Sequence, residues 1–465
     1  FNRRALFLLG CAILGAAALL FRLGRPPIVT SHEARLAETA VTMARSGLPW
    51  AAQSVSVDLG VDRPHLQAVN PWLIPVYEGG ARLQKPPLPY WCAAAVFLVL
   101  GPSEFAARLP SAMMGMAGIF LVYGFVRELA GRRTARFAAL VWVSTLFVVD
   151  EYHKAMADPY LAFFTLIALW TWMRLCRSAG PPRPVLSQRL PWVAAFYLAV
   201  ALALLAKGPV ALLLIAGFIA VGVFVGRRRP RLEWSAHAGG VVLVMAITLP
   251  WVLYVVMTVP RVLEVWRFES VGEFADNVRN ARPWFFYLGA VFQVSLPWTA
   301  LWLAGLWLAL RRPRRAMLAP ILWMACMIVI LSFAHMKKNA YLLPLMPVQT
   351  LIAARALAMA CAWARGRLPG AWPKLLLDAQ AILGIIFGIG IAALALTGPI
   401  VRGQGQTLGD LVHQLVLRVG SRVGSPFALA AALAAAAALA PLLRVACRSI
   451  ERRAVVQSVA YIVLS

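Results

Sequence analysis

The sequence predicts an all-α polytopic membrane protein, and three observations carry that reading. Hydrophobic residues fill 61% of the 465 positions and charged residues only 14%, with mean hydropathy +0.75, a balance outside the range of soluble globular domains. The apolar residues form continuous runs of roughly twenty, the length that carries a helix across hydrocarbon, and do not alternate as barrel strands do. The excess of 45 Lys and Arg over 18 Asp and Glu lies mainly in short arginine clusters between those runs. That is the pattern of cytoplasmic loops beside anionic membrane lipid, so no nucleic-acid partner is expected.

The first run, 5–22, follows Phe1-Asn-Arg-Arg and has no small-residue cleavage site before the polar stretch, so it reads as a retained helix. Further runs lie at 108–127, 135–150, 157–176, 191–206, 208–226, 236–257, 284–310, 316–333, 340–362, 379–399 and 427–446, with another opening at 454. The stretch 88–100 is shorter than the roughly twenty residues of a span. Reading it as non-spanning puts the clusters at 127–136, 174–189, 227–231, 311–315, 365–374 and 444–453 on one side, the cytoplasm. It is therefore expected as a helix in the outer interface, with Tyr90 and Trp91 at headgroup level. About twelve or thirteen spanning helices follow. Residues 1–399 form the main unit, and 400–465 an outer C-terminal loop with further helices. A start without Met and a stop within an apolar run read as trimming at both ends. Cys11, Cys92, Cys176, Cys326, Cys361 and Cys447 are scattered without a CxxC pair and read as small buried side chains.

This topology turns five segments outward together: the polar loop 23–107, the 151–158 turn, Lys207-Gly208-Pro209, the 258–284 loop and the 334–339 turn. The unusual polar residues fall in these segments. Glu33, Arg35 and Glu38 follow Ser31, a plausible N-cap; they fit a surface helix, or a carboxylate placed to take a proton. Pro86-Pro87 fix where Lys85 points, toward lipid headgroups or toward a phosphate. Asp158 suits the dipole of the helix it opens, yet an ionisable group at the edge of hydrocarbon also marks function. Lys207 interrupts an almost wholly apolar run, and the helix opened by Gly208-Pro209 adds positive potential beside it. A hairpin lysine or a phosphate ligand would both look this way. Lys337 and Lys338 add charge to the same outer face, and the cationic set suits a lipid-linked phosphate. No Walker A loop, HExxH or GxSxG appears, nor an acidic or Asn-rich path through mid-membrane.

The ordered motifs, from the Glu33 helix through Trp-Leu-Ile-Pro (72–75), Lys-Pro-Pro-Leu-Pro-Tyr-Trp (85–91), Gly-Pro-Ser-Glu-Phe-Ala-Ala-Arg-Leu-Pro (101–110), Ala-Asp-Pro (157–159), Ala-Lys-Gly-Pro (206–209) and Ser-Leu-Pro-Trp (295–298) to Lys-Lys-Asn-Ala-Tyr-Leu-Leu-Pro (337–344), resemble the GT-C glycosyltransferases. The similarity runs from about residue 20 to 350 and is greatest to the protein O-mannosyltransferases and the bacterial aminoarabinose transferases of lipid A. It implies the GT-C fold and a site on the periplasmic face of the bacterial inner membrane. It also implies a polyprenyl-phosphate sugar donor and transfer, with inversion, to a lipid or protein acceptor. By motif, Lys85, Lys207 and Arg35 would hold the donor phosphate with Lys337 and Lys338 nearby. Glu33 and Asp158 would be catalytic, and Gln84, Tyr341, Ser270 and Glu269 would line the cavity. The chain departs from the family at four places: His32 stands for Asp, Gln84 for Glu, Ser270 for His, and Glu273 for Arg. By the resemblance the family's divalent-metal ligands are thus replaced and no metal site is assigned, a divalent metal stays open, and either His32 substitutes as base or donor choice is altered or activity lost. A lipid-carrier transporter, or a non-catalytic binding subunit of a membrane complex, would use the same cavity.

Overall fold

The structure is a computed structural model that describes residues 3–21, 23–25, 27–28, 30–59, 66–177, 186–225, 234–268, 282–311, 315–334 and 337–363. The expected runs at 379–399, at 427–446 and from 454, and the unit 400–465, lie outside the described residues. Helix α1 (Arg3–Leu20) leads into the first loop, which contains α2 (Ser31–Arg45), strands β1 (Val55–Asp58), β2 (Leu66–Val69), β3 (Val76–Tyr77) and β4 (Gly80–Ala81), and α3 (Leu88–Leu100). Then come α4 (Glu104–Val143), α5 (Leu146–Tyr152), α6 (Ala157–Arg177), α7 (Leu186–Lys207), α8 (Val210–Val225), α9 (Trp234–Thr258) and α10 (Val262–Arg267). Helices α11 (Phe286–Val294), α12 (Thr299–Arg311) and α13 (Arg315–Phe333) follow, and a 3₁₀ turn (Asn339–Leu345) runs into α14 (Met346–Trp363).

Among the described residues six helices are long and apolar enough to cross a membrane, or seven if α11 and α12 are one bent span. The protein is an integral membrane protein. Two of the expected runs, 108–127 and 135–150, are joined in the 40-residue α4, which breaks at Gly131 with φ 85°. Only glycine takes that conformation without strain. The expected single run 284–310 is instead two helices meeting at 112°. Ser295-Leu-Pro-Trp298 forms the corner: Pro297 cannot continue the helical ladder, Ser295 donates to Gln349 Oε1 (2.6 Å), and the Trp298 indole donates to Ser144 (3.1 Å). That motif anchors a bend, a structural task.

The stretch 88–100 is a 13-residue helix, about 20 Å long at 1.5 Å per residue and short of a bilayer core of roughly 30 Å. Leu36, Ala40 and Met43 recur on one face of α2 and pack against Tyr90, Ala93, Ala94 and Phe97 of α3 and Ala106 and Ala107 of α4. The spacing is the apolar stripe of a half-buried helix. Between these helices the loop also folds a four-stranded sheet in the order β2-β1-β4-β3, with β1 antiparallel to β2, parallel to β4, and β4 antiparallel to β3. The sequence expectation of two helices alone omitted it, because strands of two to four residues are too short for period-two alternation to register.

Candidate active site

Helices α6 and α7 pack along their length as an antiparallel pair, so the first turn of α6 meets the last turn of α7. Asp158 lies in that first turn and Lys207 in that last turn, each where the helix dipole favours its charge. Lys207 Nζ donates to Asp158 Oδ1 at 2.5 Å, with side chains only 13% and 7% exposed. The ammonium also lies 4.5 Å from the centre of the Tyr341 ring, a cation–π contact that costs the lysine little of its charge. Gly208, at φ +72°, makes the reversal that returns the chain into α8.

These groups line a cavity of about 610 Å³, which Gln84 and Lys85 line as well. Leu161, Leu213, Met327 and Leu331 carry its wall into the apolar body. Lys85 comes from the first loop, and indole hydrogen bonds fix that loop over the cavity. Trp266 donates to Leu83 O (3.0 Å) and Trp251 to Leu73 O (2.9 Å), with the two rings 5.8 Å apart. Within the loop, Trp91 donates to Trp72 O (2.7 Å) and Trp72 to Gly47 O (3.0 Å). Pro86 seats against the Gly208 turn, its Cγ 3.8 Å from where a Cβ on Gly208 would stand.

The structure divides the remaining expected residues. Glu33 does not line the cavity: its Oε1 accepts from Arg108 Nε (3.1 Å) and the Ala155 N–H (2.9 Å), and Oε2 from Arg108 Nη2 (3.4 Å). Lys337 is buried with Nζ donating to the Arg282 carbonyl (3.0 Å) and to the carbonyl of Ala334, so it caps backbone at the end of α13 instead of facing the cavity. Lys338 lies outside the cavity lining, with Nζ 3.0 Å from His32 Nε2. Desolvation by partial burial first, then the charges of Lys338, Arg35, Lys85 and Arg82, hold the His32 imidazole below its usual range. His32 and Arg35 thus stand with Lys338 beside the cavity, not in its wall. Glu269, Ser270 and Glu273 lie outside the described residues.

Among the described residues no three of His, Cys, Asp and Glu converge as a metal-ligand set. Asp158, the acid in the cavity wall, is already bound to Lys207, so this donor set does not fit a divalent cation. Sequence reasoning missed Arg108, although an arginine just inside an apolar run is itself a signal. It also missed Trp251 and Trp266, which look like ordinary membrane tryptophans until their partners are known.

Residues 84–254 match a family model described as dolichyl-phosphate-mannose-protein mannosyltransferase. An undecaprenyl phosphate-alpha-4-amino-4-deoxy-L-arabinose arabinosyl transferase 1 of Pseudomonas fluorescens is 30% identical over 294 residues, 60% of this chain and 51% of the relative. An uncharacterized protein of Aquifex aeolicus is 28% identical over 286 residues, 61% of this chain and 55% of its own. The chain therefore spans about half the length of the curated relatives it matches. The crystal structure of ArnT from Cupriavidus metallidurans bound to undecaprenyl phosphate superposes with TM-score 0.72 at 22% identity, covering 99% of this chain and 75% of that one. The archaeal oligosaccharyltransferase AglB of Archaeoglobus fulgidus gives TM-score 0.52 at 12% identity over 94% of this chain and 56% of that one. With this helical order and these matches, the chain has the GT-C fold seen in the Cupriavidus structure.

Proposed function

We propose that this chain transfers a sugar from a polyprenyl-phosphate carrier to a lipid or protein acceptor at the periplasmic face of the bacterial inner membrane. The observation that carries the reading is Lys207, paired with Asp158 and lining, together with Lys85, one cavity whose remaining wall is largely apolar. An isoprenoid chain fits the apolar wall, and its phosphate fits the lysines. In the reaction the acceptor's lone pair forms a bond to the anomeric carbon. The bond from that carbon to the phosphate oxygen breaks, its electron pair leaves with the phosphate, and any proton the acceptor atom carried passes to that phosphate or to water. Charge therefore grows on the departing oxygen, where fixed ammonium groups in a partly dry cavity lower the barrier. Arg127, Arg132, Arg133 and Arg136 flank the Gly131 break, about 40 Å along α4 from Glu104. With that end cytoplasmic, the cavity opens on the other side. The relatives' names and the carrier bound to the Cupriavidus protein support the same donor class.

Purified protein given a polyprenyl-phosphate-linked sugar and an acceptor extract should release free polyprenyl phosphate, and Lys207→Ala should not. A transporter or binding subunit with this cavity would release none in either form.

A further inference from the structure

At the arginine-rich end of the bundle, two side chains hold buried N–H groups that nothing among the described residues accepts: Arg133 through Nε and Nη2, and Trp170 through Nε1. Arg133 follows Glu128 across the Gly131 break in α4, and Trp170 belongs to α6. Gly124 seats the Trp170 ring against α4, for a Cβ there would stand 2.6 Å from it. One turn on from Trp170, Arg174 stacks 4.2 Å from the centre of the Trp192 ring of α7 and stands 3.6 Å from Glu128 of α4. Trp170 and Trp192 meet edge to face at 6.0 Å. The ends of α4, α6 and α7 therefore come together here, about 24 Å along α6 from Asp158 at 1.5 Å per residue.

A buried donor left unmade is costly, and native proteins leave few. Nε and Nη2 are the two nitrogens of one guanidinium edge, whose parallel N–H bonds fit two oxygens of one anion. Arg108 uses the same edge on Glu33. The Arg133 side chain as a whole is only partly buried, so a turn of its outer torsions brings that edge to the surface. Glu128 offsets Arg174, and the positive charge of the spot comes from Arg133. Donors lacking acceptors suit a ligand that only accepts, as a phosphate diester does. Its position makes that ligand a lipid: tryptophans and arginines at helix ends mark headgroup depth, and Leu190 of α7, next to this spot in sequence, is 52% exposed. A choline headgroup would add its own cation beside Arg133. We propose that the ends of α4, α6 and α7 form a site for one anionic phospholipid of the adjoining leaflet, its phosphate held by Arg133, Trp170 and Arg174 and its acyl chains lying along Leu190. The site goes beyond the sugar-transfer reading and does not depend on it.

The test is native mass spectrometry of the full chain in detergent, titrated with phosphatidylglycerol, phosphatidylcholine or glycerol phosphate. Wild type should retain one phosphatidylglycerol in preference to phosphatidylcholine, and glycerol phosphate should not displace it. R133Q/R174Q should weaken that retention about tenfold, the worth of one charge-assisted hydrogen bond. R127Q/R132Q removes the same charge from exposed positions of α4 and should stay within about threefold of wild type. R133K keeps the charge and lacks the parallel edge, so a several-fold loss is expected, and it carries the test if the double variant does not fold. K207A should retain the lipid like wild type. Equal weakening by the two double variants, unchanged binding in R133K, or equal retention of phosphatidylcholine overturns the site in favour of general attraction to charge. Displacement by glycerol phosphate makes the ligand a soluble phosphate and overturns the lipid. Loss in K207A puts the lipid in the Lys207 cavity and overturns the site as well. Sugar release plays no part in the readout, so failure of the transferase reading and failure of this site are separate results.

Discussion

Arg108 and Glu33, 75 positions apart in sequence, form a buried ion pair that fastens the first loop to the start of α4. Glu33 also accepts from the Ala155 N–H, so one carboxylate joins three segments: α2, α4 and the turn that leads to Asp158.

Removing one partner of that pair leaves a buried charge alone, which typically costs about 3–5 kcal/mol. Arg108→Ala should therefore unfold at a markedly lower temperature in detergent, and Glu33→Ala likewise. Glu33→Gln separates anchoring from proton transfer, since it keeps the shape and loses the charge. A large fall in stability with turnover reduced only in proportion is expected. Normal stability with abolished turnover would instead make Glu33 a catalytic base.

Trp266 holds the Leu83 carbonyl two residues before Lys85. Trp266→Phe keeps the ring and removes one hydrogen bond, worth about 0.5–1.5 kcal/mol. The expected result is a donor KM raised up to about tenfold with kcat little changed, because Lys85 wanders before binding and not after. A fall in kcat at constant KM would show that the indole acts on the chemical step.

His32 gives a pH dependence of definite sign. Its folded-state pKa lies below the usual histidine range, by burial and then by the charges of Lys338, Arg35, Lys85 and Arg82. The unfolded chain therefore binds the proton more readily. The His32 contribution to stability is present above an ordinary pKa of about 6.5 and is lost as pH falls below it. Thermal unfolding followed from about pH 7.5 down to about pH 5.5 should show a steeper decline in wild type than in His32→Gln. Parallel curves would place the imidazole outside the cationic cluster.

The sequence exposes those features whose signal is long or chemically costly. Runs of apolar residues gave most helices, and 88–100 is a short helix at the expected bounds. Lys207 and Asp158 stood out because an ionisable group beside hydrocarbon is expensive, and both lie in the cavity wall. What could not be read depends on distance in space. Glu33 looks like a surface acid until Arg108 is placed against it. Lys337 and Lys338 are neighbours of like charge, yet one caps carbonyls and the other meets His32. The 112° corner at Ser295–Trp298 looks like a continuous span because its flanks are equally apolar. The short strands of the first loop are fixed by pairing partners, not by local pattern.

The most direct measurement is single-turnover release of polyprenyl phosphate from its sugar-linked form by wild type, Lys207→Ala and Asp158→Asn. Loss of one preorganised charge at the leaving group should slow release by about 10²–10³-fold in Lys207→Ala, equal to about 2.7–4 kcal/mol of barrier. Asp158→Asn, which frees the lysine from its partner, should slow it in the same direction, with both variants still folded in detergent. Release at the wild-type rate by folded Lys207→Ala would contradict a phosphate-holding role for the α6–α7 ion pair.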